Sequence, residues 1–187
     1  MTRTPRTEAR RQTRSPAFRI GYGFDSHEFR AGVALKIGGV RLVYDKGLGG
    51  HSDGDVLLHA ITDALLGALA APDIGALFPP SDPQWKGADS VVFLREALKR
   101  VHDAGYGVAN MDASLILAAP KIGRHAAAIR ERVAKLLGVP SDCVGIKAKT
   151  PEGLNLDNTA IAHVVALLEK QKDSNNMPKK KKSKRPN

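Results

Sequence analysis

Hydrophobic and polar positions along this chain follow two periods, one near 2 and one near 3.6, and they switch several times. Phe18 and Ile20, ahead of Gly21-Tyr22-Gly23, predict a short strand running into a glycine-rich turn. Ala34–Ile37 and Val40–Tyr44 predict two strands of a hairpin around Gly38-Gly39. After Gly47–Gly50 the pattern becomes helical over 53–70, with Ser52 as N-cap, Asp55 in a capping-box-like position and Pro72 beyond the end. A Pro-, Asp- and Gly-rich loop follows over 72–87. The pattern then predicts a helix over 89–104 ended by Gly105, a buried strand over 108–118 and a helix over 125–137 closed by Gly138. A strand over 144–149 and a final helix over 159–170 complete the chain. Interleaved strands and helices with an early hairpin predict an α+β (mixed α/β) fold: one domain, a mixed sheet, and helices packed on one side.

Composition narrows the classes. A length of 187 residues suits one domain with tails. Aromatic content is only 5%, so the core must be built from Ala, Val, Leu and Ile. No apolar run approaches the ~20 residues of a membrane helix, so no spanning segment is expected. The single cysteine, Cys143, excludes an internal disulfide framework and a multi-cysteine zinc site, and fits a reducing compartment. The net charge of +10 suggests a nucleic-acid binder until it is divided: +4 lies on residues 1–18, +7 on 170–187 and −1 on 19–169. The basic ends are predicted to be disordered extensions of a body spanning 19–169, and nucleic acid is a partner only through them. The N-terminal stretch has no apolar segment, so no secretory signal is expected. A cytoplasmic location is expected, or a plastid-type organelle if the Arg-rich start is a transit peptide.

Two segments concentrate the chemistry. In Gly23-Phe24-Asp25-Ser26-His27, Asp25 and His27 are two apart, and on an extended chain their side chains point the same way. On the helix after His51-Ser52-Asp53-Gly54, Asp55, His59 and Asp63 are spaced by four and share a face. The remaining faces are Val, Leu, Ile and Ala, so this polar stripe does not face bulk water. Asp25, His27 and His59 offer one oxygen and two nitrogens, the three-ligand set of a catalytic zinc with an open position. Taken singly, each is an ordinary polar residue. His102, His125 and His163 fall in predicted helices and are read as structural. Asp73–Asp82 is a long loop of the functional kind. Ala119-Pro120-Lys121 and Lys147–Gly153 end two strands with cations, a hydroxyl and backbone N–H groups, which suit phosphate or form a solvated rim.

These segments, in order, resemble the 2-C-methyl-D-erythritol 2,4-cyclodiphosphate synthases of the non-mevalonate isoprenoid route. The resemblance is carried by Gly-Phe-Asp-Ser-His (23–27), the stretch from His51 to Ala68, Asp-Ile-Gly-Ala-Leu-Phe-Pro (73–79), Lys-Gly-Ala-Asp-Ser (86–90), Ala-Pro-Lys (119–121) and Lys-Ala-Lys-Thr-Pro-Glu (147–152). It runs from about Arg19 to Leu168. It implies a lyase whose substrate, 4-diphosphocytidyl-2-C-methyl-D-erythritol 2-phosphate, attacks its own outer diphosphate phosphorus through its 2-phosphate and expels CMP. It also implies a homotrimer with active sites between subunits, one zinc per subunit, and magnesium or manganese with the diphosphate. Residue by residue, Asp25, His27 and His59 match the zinc ligands, and Glu152 matches the ligand of the second metal. His51 and Thr150 match the groups that stabilise the transition state. Asp73 and Gly75, with Ile74 between them, match the ribose contacts. Leu117, Ala118, Ala119, Pro120, Lys121, Ile122 and Gly123 match the cytosine and phosphate pocket. Ser26, Ser52, Phe78, Pro79, Pro80, Ser81, Asp82, Lys149 and Pro151 match further substrate contacts.

The residue types suit that reaction. Two like unit charges ~4 Å apart repel by ~4 kcal/mol at an effective dielectric near 20, so metals and donors must offset the meeting of two phosphates. The nucleophile is already ionised and needs no general base. The chain departs from the family pattern at Lys149-Thr150-Pro151, where many members have a run of Thr. It departs again at Gly153–Thr159, where Leu156 takes a Phe position and the Gly-Arg-Gly-Glu-Gly segment lining the trimer axis is missing. Two competing readings are a metal-dependent phosphohydrolase that uses water and a non-catalytic RNA-associated protein with basic tails. With 18 residues ahead of the body, no fused cytidylyltransferase is expected.

Overall fold

The structure, a computed structural model, describes residues 15–171. In chain order its elements are β1 (Phe18–Ala31), β2 (Leu35–Ile37), β3 (Val40–Leu42), β4 (Lys46–Leu48), α1 (Val56–Ala68), α2 (Ile74–Leu77), α3 (Ser90–Asp103), β5 (Tyr106–Ile116), α4 (Ala126–Leu137), β6 (Val144–Lys149) and β7 (Thr159–Lys170). The main sheet has the order β4-β1-β7-β5-β6. β7 is central and runs antiparallel to β1 and β5, while β6 pairs with β5 in parallel. The sheet is therefore mixed, as the pattern predicts. β2 and β3 form the expected hairpin. Ile37 pairs with Val40, and Gly38 and Gly39 between them have φ of 64° and 72°, which the tight two-residue turn requires.

One face of the sheet carries the core. Ala160, Ala162, Val164, Ala166 and Leu168 of β7 and Met111, Ala113 and Leu115 of β5 are buried there beneath the helices. The layer of α1 over β1 is unusually close. A Cβ on Gly21 would come within 2.6 Å of Ala68 N, and one on Gly23 within 2.7 Å of Ala64 N. These two glycines set the height of α1 above the sheet. The opposite face leaves Phe18, Ile20, Tyr22, Phe24 and Val165 exposed.

Several expectations are corrected. β1 is not a short strand ending in a glycine turn. It runs 14 residues, straight through Gly21 and Gly23 to Ala31. The predicted helix over 159–170 is β7, so His163 is a strand residue, with Tyr22 Oη 2.8 Å from its Nδ1 on the open face. Its Ala, Leu, Glu and Lys favour helix locally, but pairing with two strands overrides that preference. Both of its faces are largely apolar, which hides the period of 2. The N-cap of α1 is Asp55, not Ser52. Its fully buried carboxylate accepts from Leu58 N at 3.1 Å and from Gly38 N and Gly39 N at 2.8 and 2.6 Å, clamping the hairpin turn to the helix. The loop over 72–87 contains α2 and a 3-10 turn at Pro83–Trp85. The basic extensions read from the sequence lie, over 1–14 and 172–187, outside the described residues.

Candidate metal centre and substrate pocket

Extended backbone turns the side chains of Asp25 and His27 to the α1 side of β1, and the first turn of α1 brings His59 down onto them. Asp25 Oδ2 lies 2.9 Å from His27 Nε2 and 2.9 Å from His59 Nδ1, and the two ring nitrogens are 3.1 Å apart. Three ligands at the usual zinc distances span tetrahedral edges of about 3.3 Å. The triangle thus fits a divalent cation after a shift of a few tenths of an ångström. It is the group of His, Cys, Asp and Glu side chains among the described residues whose donor atoms converge closely enough to hold one. Burial pushes the Asp25 carboxyl up. Hydrogen bonds to His27 and His59 and the charges of those rings more than reverse this, lowering it to about 2. Burial also pulls His27 down, but its hydrogen bond to Asp25 and that carboxylate's charge leave it above its ordinary value. The pair is strongly polarised, as expected of a functional site.

Beside the triangle is a pocket of about 180 Å³ lined by His27, His51, Ser52, His59, Ile74, Gly75, Phe78, Pro80, Trp85 and Phe93. The loop over 72–87 forms its far wall and is tied down at several points. Asp63 of the polar stripe on α1 accepts from Ile74 N at 2.8 Å, Asp73 caps α2, and Gly87 N donates to the His51 carbonyl at 2.7 Å. His51 Nε2 is 3.4 Å from the Asp82 carbonyl oxygen. Phe78, Trp85 and Phe93 pack ring to ring at centroid distances of 4.6–5.7 Å. Trp85 and Phe93 were missed in the sequence. Trp85 sits in a loop without periodicity, and Phe93 looks like any apolar position of α3.

A second pocket of about 240 Å³ is lined by Leu117, Lys121, Ile122, Gly123, Ala148, Lys149 and Thr150 at the ends of β5 and β6. The Thr150 hydroxyl donates to Glu152, and Glu152 holds a left-handed backbone with φ 47°. A non-glycine residue pays strain there, a feature that clusters at functional sites. The structure gathers these residues with one another but not with the metal triangle. Asp25 pairs with Ala162, Ala162 with Leu115 and Leu115 with Ala148. Three strand spacings of ~4.8 Å thus separate the two clusters by ~14 Å within one chain. Ser26 points to the open face of the sheet, and Pro79 and Ser81 are exposed on the loop; none of the three lines the first pocket. No described helix is long and apolar enough to cross a membrane.

Sheet order, two separate pockets and a carboxylate–imidazole triangle beside one of them define a mixed α/β domain with a candidate metal centre, and the comparisons specify its family. The model of the YgbB family matches residues 18–169, and the chain belongs to that family. It is 69% identical over 153 residues, 82% of this chain and 99% of the relative, to the 2-C-methyl-D-erythritol 2,4-cyclodiphosphate synthase of Koribacter versatilis (strain Ellin345). It is 52% identical over 154 residues to the chloroplastic enzyme of that name from Oryza sativa subsp. japonica, covering 81% of this chain and 69% of the relative. A solved structure of a synthase of the same name in its CDP-bound form superposes with a TM-score of 0.77 at 42% identity, over 81% of this chain and 100% of that one.

Proposed function

We propose that this chain is a cyclising phosphorus–oxygen lyase. It converts 4-diphosphocytidyl-2-C-methyl-D-erythritol 2-phosphate to 2-C-methyl-D-erythritol 2,4-cyclodiphosphate and CMP, a step of isoprenoid precursor synthesis. The observation that carries the proposal is the convergence of Asp25, His27 and His59 beside a pocket, in a chain 69% identical to a synthase of that name. Asp25, His27 and His59 would hold zinc, and Glu152 magnesium or manganese, to offset the charge of the phosphates and polarise the outer phosphorus. His51 and Thr150 donate to the oxygens that gain charge. The 117–123 segment with Lys121 and Lys149 holds the cytidine and its phosphate, and Asp73, Ile74 and Gly75 hold the ribose. Ser52, Phe78 and Pro80 shape the wall over the reacting groups. With Trp85 and Phe93 they exclude water, which would otherwise hydrolyse the diphosphate.

The active enzyme is a homotrimer whose sites are shared between subunits. Two features support this. The ~14 Å separation of the half-pockets exceeds what one reacting centre spans. The exposed Phe18, Ile20, Tyr22, Phe24 and Val165 form an apolar sheet face that asks for cover. The body over 19–169 carries the activity, the basic extensions are dispensable, and the enzyme works in the cytoplasm. Incubation with the diphosphocytidyl substrate, followed by phosphorus NMR, should show CMP and the cyclic diphosphate in equal amounts. An open-chain phosphate in place of the cyclic product would instead identify a phosphohydrolase.

A further inference from the structure

The inner nitrogen of His59 faces the metal triangle, and its outer nitrogen faces a polar chain that the proposed reaction leaves unused. His59 Nε2 lies 2.9 Å from Ser90 Oγ and 3.0 Å from Ser52 Oγ. Ser90 opens α3 directly after its cap Asp89 and is fully buried. Its hydroxyl hydrogen-bonds to Asp53 Oδ1, which also accepts from Ser90 N at 3.2 Å. The other oxygen of Asp53 accepts from Lys36 Nζ at 2.9 Å, and Lys36 also lies 3.7 Å from Asp89. The chain crosses four elements: β2, the loop before α1, α3 and α1.

The direction of each bond follows from donor inventory. Asp53, paired to Lys36, accepts only. The single Ser90 proton therefore goes to Asp53, and Ser90 Oγ offers His59 a lone pair. His59 Nε2 must then carry a ring proton, which leaves Nδ1, whose proton bonds to Asp25 in the metal-free protein, as the nitrogen that a metal ion takes by displacing that proton. An imidazole that binds metal through Nδ1 needs the Nε2–H tautomer, and a buried polar partner commonly fixes it.

We propose that Ser90 and Asp53, braced by Lys36, are positioning residues that lock His59 in the Nε2–H tautomer and hold its ring in place as an Nδ1 metal ligand. The inference rests on the metal reading of Asp25, His27 and His59. Loss of the partner of a ligating histidine typically weakens metal binding ten- to hundredfold.

The test is zinc affinity of the full chain, by competition with a chromogenic chelator, for the parent, Ser90→Ala, Ser90→Thr, Asp53→Asn and His59→Ala. The parent should bind one zinc and His59→Ala should lose it. Ser90→Ala and Asp53→Asn should each weaken binding ten- to hundredfold, and Ser90→Thr, which keeps the hydroxyl, should recover most of the loss. Long-range proton–nitrogen NMR of the zinc-loaded parent should show His59 protonated at Nε2 and ligated at Nδ1. Zinc retained by His59→Ala would reject the metal reading itself. A parent that binds zinc through His59 while Ser90→Ala and Asp53→Asn keep parental affinity would overturn the relay alone, as would ligation through Nε2.

Discussion

Gly23→Ala tests the link between sheet packing and the metal centre. A methyl there would sit 2.7 Å from Ala64 N and closer still to the Ala60 carbonyl oxygen, both backbone atoms of α1. Non-bonded heavy atoms settle near 3.5 Å, so α1 must retreat by at least ~1 Å. Ala60 follows His59 directly, so the retreat carries His59 away from Asp25 and His27, which stay on β1. Ligand positions tolerate only ~0.2 Å, and a 1 Å misplacement commonly costs ~100-fold. Zinc affinity and turnover should each fall by about that factor. Overpacking costs ~1–3 kcal/mol, and rigid backbone neighbours put this substitution at the upper end, ~3 kcal/mol. Gly67→Ala, on the same helix, is the control. Its methyl would meet nothing closer than Tyr22 O at 3.6 Å, and an alanine in a helix interior should stabilise by ~0.5–1 kcal/mol. Denaturant unfolding and chelator competition on both variants decide the matter. A Gly23→Ala protein with parental stability and parental zinc affinity would refute the claim that glycine sets the height of α1.

Other outcomes follow from single residues. Asp55→Ala removes the cap of α1 and strands the N–H groups of Gly38, Gly39 and Leu58 in the interior; we expect a loss of ~3–5 kcal/mol, read by chemical unfolding. The Asp25 carboxyl is depressed from 3.8 to about 2, so its contribution is present above the ordinary carboxylate value and is lost as pH falls through about 2. Acid unfolding of metal-free protein should therefore cost the parent ~2 kcal/mol more than Asp25→Ala over that window, and equal losses would show that Asp25 gains nothing from its partners. Thr150→Val should cut turnover about a hundredfold with little change in KM, because a donor aimed at developing charge acts in the transition state; an unchanged kcat at saturation would reduce Thr150 to a turn residue. Lys121→Ala and His59→Ala chains, each inactive, should regain activity when reassembled together, whereas mixed trimers verified by native mass spectrometry that stay silent would place both groups in one subunit.

The sequence alone determined the local chemistry. The Asp25–His27 spacing, the His59 position, the Gly38-Gly39 hairpin, α3, α4 and the strands β5 and β6 were legible because each depends on neighbours within a turn or two. The tertiary structure decided the rest. Nothing local distinguishes β7 from a helix, since its strand character comes from lying between β1 and β5 and pairing with both. Nor does a Gly-x-Gly run announce a straight strand, because Gly21 and Gly23 are required only where the backbone of α1 passes overhead. Trp85, Phe93 and the Lys36–Asp53–Ser90 chain belong to the site through contacts between residues far apart in sequence. The separation of the two pockets follows from strand order, a property that no short window of residues contains.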